Sequence, residues 1–297
     1  MSGKKHPILI VFVVLGITIL FLGLVMTLAL TFTGPSSGLS FADKIGVIPI
    51  EGPITDSRPV LSQLIEFRKN RRIKAIILRV DSPGGGVGPS QEIYREVRRT
   101  VKSKTVIASM GGVAASGGYY IASGANKIVA NPGTITGSIG VIMEFIRLED
   151  LLKKIGISME VLKSGEFKDV GSPHRKMSER ERTMITDLIS DVQSQFVEAV
   201  ADGRGMSVEK VREIADGRIL SGAQAKALGL VDSLGNFHDA VQLAKKMSGI
   251  KGEAAMVYPK KKRVRFWDLF FQEAYNAFSR NVKDTWNTAI EYRWDGL

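Results

Sequence analysis

Ser116 lies in the run Met110-Gly111-Gly112-Val113-Ala114-Ala115-Ser116-Gly117-Gly118-Tyr119-Tyr120, directly after an apolar, strand-like stretch. Small residues on both sides let backbone and substrate approach the hydroxyl closely, which suits a nucleophile. A strand that ends in glycine and runs into a helix start leaves unpaired N–H groups and the positive end of the helix dipole nearby, and both favour developing negative charge. The same run also suits tight helix packing. A second cluster, Asp81-Ser82-Pro83-Gly84-Gly85-Gly86-Val87-Gly88, follows the apolar stretch Ala75–Val80 and precedes a helical segment. It lacks the lysine of a phosphate loop and the spacing of a dinucleotide fingerprint. An oxyanion hole is its chemical reading and a tight turn its structural one.

A serine nucleophile needs a base, and the chain restricts the choice. There is no cysteine, which excludes thiol catalysis and thiolate metal sites, and there are three histidines. His6 precedes a long apolar segment, His174 follows Pro173 in a polar loop, and His238 sits at an ordinary helix start. None has a triad-like setting, although triad partners meet in space and not in sequence. Lysine is the alternative. Its pKa must fall from about 10.4 to about 7–8, which burial achieves by penalising the charged form. Lys163 and Lys168, in Leu162-Lys163-Ser164-Gly165-Glu166-Phe167-Lys168-Asp169-Val170, are the candidates, with Phe167 and Val170 beside the second.

The elements that must position these residues follow an α/β pattern. Strands are expected at Ile45–Ile50, Ala75–Val80, Val106–Met110, Lys127–Ala130 and Ser158–Leu162. Helices are expected near Pro59–Asn70, Ser90–Lys102, Leu148–Ile155, Val208–Ala215, Ala223–Ala227 and Phe237–Lys246. A long amphipathic helix from Ser178 to Val200 opens with Ser178 and Glu181 in capping-box spacing. Such alternation implies largely parallel pairing. Twelve glycines fall between Asp81 and Gly140, mainly after the strands, where ligands of such sheets bind.

Residues 8–32 carry no charged side chain and follow Lys4 and Lys5. Their length suits an uncleaved transmembrane signal anchor, with residues 1–7 cytoplasmic and everything beyond Phe32 extracytoplasmic, periplasmic or extracellular, at the cell (inner) membrane. Residues 33–43, with Gly34-Pro35-Ser36-Ser37-Gly38, read as a linker, residues 44–250 as a single catalytic-size domain, and residues 251–297 as a basic and aromatic tail. The net charge of +11 owes much to Lys260, Lys261, Lys262, Arg263 and Arg265. An anionic membrane surface, not nucleic acid, is the expected partner of that cluster. The aromatic face of 264–280 suits either an interfacial helix or one docked on a neighbouring subunit.

Three motifs in order resemble the serine–lysine signal peptide peptidases of the A type, relatives of the Clp protease and crotonase fold. Asp81-Ser82-Pro83-Gly84-Gly85 resembles that family's oxyanion turn, Ala115-Ser116-Gly117-Gly118-Tyr119-Tyr120 its nucleophile motif, and Ser164-Gly165-Glu166-Phe167-Lys168 its base motif. The resemblance covers about Lys44 to Lys246 and implies a spiral of ββα units, a short form with one such domain, and a homo-oligomeric ring. It implies Ser116 as the acylated nucleophile, Lys168 as general base and later acid, and Ser138, in Thr136-Gly137-Ser138-Ile139-Gly140-Val141, as the residue that orients the lysine. It also implies an oxyanion hole from the amides of Gly84 or Gly85 and of Gly117. No metal or nucleotide is required. Substrates would be released signal peptides and other short apolar or unfolded peptides. The same fold also hosts acyl-CoA enzymes, and a weakly catalytic anchored scaffold is the non-enzymatic alternative.

Overall fold

The computed structural model describes residues 7–32, 43–259 and 291–293, in two units, Met1–Ala42 and Asp43–Leu297. In the first, Pro7–Phe32 forms one helix, α1. Its described side chains are exposed all round and, Thr18 and Thr27 apart, apolar, as with Phe12, Leu20 and Phe21. The hydroxyls of Thr18 and Thr27 donate back to the carbonyls of Val14 and Gly23, so neither needs water. The described residues leave out side chains at both ends of α1. Among them no helix is long and apolar enough to cross a membrane. Most of the linker at 33–43 and the tail from 260 to 290 lie outside the described residues.

The second unit is a mixed α/β domain. The strands β1 (Lys44–Glu51), β2 (Ile73–Ser82), β4 (Thr105–Ala115), β5 (Lys127–Ala130) and β6 (Ile135–Gly137) supply most of its sheet, and β3 (Gly84–Gly86) lies apart from it. The order is β7-β6-β4-β2-β1-β9, with β7 at Ile219–Ser221 and β9 at Ala255–Val257, and β5 pairs β4 and β8 (Ser233–Leu234). Every pairing in this sheet is parallel except β6 with β7. Parallel sheets are covered on both faces, which is why the β1 and β2 sequences read as near-continuous apolar runs. Ile76, Leu78 and Val80 of β2 join a core with α2 (Arg58–Lys69), α3 (Val87–Thr100) and α6 (Glu179–Arg204). Ala75 and Ile77 point the other way, onto Ala240, Val241 and Ala244 of α9 (Phe237–Ser248).

The expected strands at 45–50, 75–80, 106–110 and 127–130 are present, the first three extended at their ends. The strand expected at Ser158–Leu162 is not formed. Its alternation needs an edge to pair with, and in the single chain Ile157, Met159 and Val161 stay exposed while Leu162 is 92% exposed. The preceding helix, α5 (Glu149–Lys154), buries no residue, so Ile146, Leu148, Leu151 and Ile155 extend the same apolar surface.

Candidate active site

Strand β4 delivers Ala115 to the edge of the sheet, and α4 (Gly117–Ser123) begins two residues later. Ser116 makes the turn between them with φ 50° and ψ −116°. A non-glycine side chain at positive φ is held there only by its surroundings. Here those are the backbone bonds from Ser116 N–H to Gly137 C=O at 2.9 Å and from Tyr120 N–H to Ser116 C=O at 2.8 Å. Ser116 is 1% exposed, caps nothing with its side chain, and its buried Oγ has no hydrogen-bond partner. A buried unpaired hydroxyl carries a desolvation cost of about 1–3 kcal/mol, which a bound reactant or an incoming base relieves.

The only other non-glycine residue at positive φ among the described residues is Ser138, also at φ 50°. Strand β6 pairs β4 with Ala115 opposite Gly137, which sets Ser138 beside Ser116 at the end of the two strands. Ser138 N–H is anchored on Arg218 C=O at 2.8 Å. Nothing in the sequence signals its backbone conformation.

The glycine turn after β2 packs against the same helix start. A Cβ on Gly118 would lie 3.0 Å from Ser82 C=O, so α4 and the turn touch backbone to backbone. Ser82 Oγ donates to Gly52 C=O at 2.6 Å and accepts from Gly84 N–H at 3.1 Å. Ile54 N–H donates to Gly84 C=O at 2.8 Å, and Gly86 N–H donates to Ile54 C=O at 2.9 Å. Since successive residues of an extended chain face opposite edges, the N–H of Gly85 points away from Ile54 and is not taken by this network. Of the two glycines, Gly85 is therefore the one whose amide faces the outer edge of β3, where Tyr292 of the strand at Glu291–Arg293 lies opposite it. Gly117 N–H belongs to the first turn of α4, which leaves it without an intrahelical partner.

Lys168 lies in the turn region after Gly165, exposed, and it is not bonded to Ser116, whose Oγ has no partner. Lys163 is engaged elsewhere: its Nζ donates to Asp169 at 2.6 Å and to Glu166 C=O at 2.9 Å. Neither His174, beside Ser172 Oγ, nor His238, beside Gln242, reaches Ser116.

Sequence reasoning missed the clamp that holds the Lys168 segment. Arg175 donates to both oxygens of Asp169 at 2.8 and 2.7 Å and to both of Glu181, one at 2.9 Å. Glu181 in turn accepts from Ser178 N–H at 2.8 Å, in the capping box of α6. Arg175 lowers the Glu181 carboxyl to about 2 and also holds Asp169 well below the usual carboxylate range, with Lys163 adding to it. Both groups bind protons more weakly when folded. Their stabilising contribution is therefore complete above about pH 4.5 and is lost as pH falls towards 2. Arg175→Ala is expected to increase amide hydrogen exchange across residues 165–181 at pH 7. The wild type should show the same loosening only below about pH 4. Equal protection in both chains at neutral pH would count against the clamp.

The serine at a strained strand-to-helix turn of a mostly parallel sheet, with a glycine strand packed against it, defines a hydrolase of the Clp-protease-like class, and the Clp protease family model matches residues 40–134. The model of peptidase family S49 matches residues 98–251, and the chain belongs to that family. It is a serine peptidase. It is 46% identical over 208 residues to a provisionally named protease of Synechocystis sp., across 70% of this chain and 75% of that protein. It is 40% identical over 199 residues to a provisionally named signal peptide peptidase SppA of Enterococcus faecium, across 67% of this chain and 58% of the relative. With Protease 4 of Salmonella typhi it shares 40% identity over 191 residues, 64% of this chain but 31% of that protein.

Proposed function

We propose that the chain is a membrane-anchored endopeptidase in which Ser116 is the nucleophile and Lys168 the base, acting on released signal peptides and other short apolar or unfolded peptides. The observation that carries this reading is the buried, unpartnered Oγ of Ser116 at a strained turn. Neutral Lys168 takes the Ser116 proton as Oγ bonds to the substrate carbonyl carbon. The amides of Gly85 and Gly117 hold the oxyanion, Lys168 returns the proton to the leaving nitrogen as the C–N bond breaks, and water then hydrolyses the ester with Lys168 again as base. Ser138 orients the lysine amine.

Ser116 and Lys168 are not joined in the single chain, while an exposed apolar surface runs from Ile146 to Leu162, directly before the Lys168 segment. Both features support a homo-oligomeric ring in which one copy supplies Ser116 and its neighbour Lys168. That surface far exceeds a scatter of single apolar residues, and covering it would order the Lys168 segment against the adjoining copy. Helix α1 is the membrane span, with Lys4 and Lys5 on the cytoplasmic side and a Clp protease/crotonase-like spiral of ββα units outside. Its spanning role rests on 25 consecutive uncharged residues, 8–32.

A fluorophosphonate probe tests the chemistry directly. Wild-type chain in detergent or vesicles is expected to label at Ser116, with labelling lost in Ser116→Ala and in Lys168→Ala. A wild type that never labels favours the anchored scaffold, and a Lys168→Ala chain that labels at the wild-type rate rules out the lysine base.

A further inference from the structure

The open edge of β3 is occupied by part of this chain. Strand β10 (Glu291–Arg293) pairs with it antiparallel, Glu291 opposite Gly86, Tyr292 opposite Gly85 and Arg293 opposite Gly84. Because Gly84 C=O and Gly86 N–H face Ile54, the backbone groups turned to β10 are those of Gly85. An extended guest taking the place of β10 would pair with Gly85 by its main chain, as strand addition does, and a strand made of glycine offers no side chains to read the guest. Selection among guests falls to the walls beside β3.

One wall has a definite chemistry. Arg293 lines an open pocket of about 500 Å³ together with Ser138, Gly140, Val141, Ile189 and Gly217. Its Nη2 lies 3.3 Å from Glu144 Oε2. Val141 and Ile189 supply apolar surface for an aliphatic stem, and Glu144 supplies charge for the head, which is how arginine and lysine side chains divide themselves between oil and water. Glu144 meets the arginine head outside the pocket lining, and the carboxylate that does line the pocket, Asp216, is already held in an ion pair by Arg218 at 2.8 and 2.9 Å. Ser138 ties the pocket to the nucleophile, since β6 and β4 place it beside Ser116.

We propose that Glu144 is a specificity-determining residue that favours an arginine or lysine in the peptide strand lying along β3. This deepens the reading of Ser116 as nucleophile and rests on it. The preferred substrates are then apolar peptides carrying a basic residue, and signal peptides, with a basic stretch before the apolar core, have that composition.

The test compares quenched fluorescent peptides of uncharged sequence in which a single Arg, or a single Gln in its place, is moved through each position. The readout is the ratio of kcat/KM for each Arg/Gln pair, in the full-length wild type, Glu144→Gln and Glu144→Lys. Both members of a pair must displace the chain's own strand, so that common cost cancels in the ratio. At one position the wild type is expected to prefer Arg by about three-fold at low salt, as a partly exposed ion pair allows, with the preference shrinking in high salt. The ratio should fall to about one in Glu144→Gln and below one in Glu144→Lys. An identical ratio in all three chains overturns the proposal. Binding of the same peptides to Ser116→Ala, read by fluorescence anisotropy, should follow the same order. Retained order in binding without turnover in the wild type counts against the nucleophile assignment and leaves the Glu144 contact standing.

Discussion

Co-expressing Ser116→Ala and Lys168→Ala chains is expected to restore peptidase activity that neither chain has alone. If Ser116 and Lys168 act as one unit of nucleophile and base, each substitution by itself should lower kcat by about 10⁴- to 10⁶-fold, since removing either removes the unit. Recovery follows if the two groups meet between copies. In a ring built from equal amounts of both chains, a site is intact when a Lys168→Ala copy, which keeps Ser116, abuts a Ser116→Ala copy, which keeps Lys168. Random assembly satisfies that at about one site in four. The structural basis is the separation within one chain: Ser116 Oγ is buried and unpartnered, and Lys168 stands exposed beyond the apolar surface at 146–162. Mixed rings purified through two different tags and assayed on a quenched peptide give the measurement. Activity no higher than that of the single-variant rings would place both groups in the same copy.

What was legible in the sequence is what local chemistry writes. The capping box at Ser178 and Glu181 forms with both reciprocal bonds, because it depends on residues three apart. The helix then runs to Arg204, four residues past the expected end, and stops at Gly205 in a left-handed conformation. The strands buried on both faces were visible as apolar runs. Three-residue strands such as β9 and β10 carry no pattern of their own, and their partners lie far along the chain. The expected strand at 158–162 shows the reverse failure: alternation records that a segment can pair, but not that an edge is available to it.

The candidate site divides in the same way. Ser116, its flanking glycines and two nearby lysines could be named from composition and spacing. The sequence left Lys163 and Lys168 both open on their residues alone. In the structure Lys163 is held by Asp169, and Lys168 is exposed. Glu181 looked like a capping residue and is one, yet its carboxylate also anchors Arg175 and through it the segment that carries Lys168. Ser138 gave no conformational signal because serine is not a residue that marks positive φ. Long-range contacts decide each of these points, and a local reading contains none of them.

Gly85→Ala is expected to lower kcat by about 10²- to 10³-fold or more while leaving the sheet folded, and the reason is threefold. Gly85 has φ +151°, a conformation that residues with a side chain rarely adopt. A Cβ built there would lie 2.5 Å from both N and O of Ile54, and those backbone atoms are fixed by their bonds to Gly86 and Gly84. The chain must therefore move β3 away from Ile54 or rotate the Gly85 peptide, and either motion turns its N–H from the position facing a guest strand. The β3 strand lies outside the eight-stranded sheet, so the displacement need not propagate into the core. Gly88, where a Cβ meets nothing within 4 Å, serves as the control: Gly88→Ala should keep near-normal turnover. Circular dichroism and thermal melting would report the fold, and kcat with fluorophosphonate labelling would report the site. A Gly85→Ala chain that is fully folded and turns over peptide at the wild-type rate would remove Gly85 from the oxyanion hole.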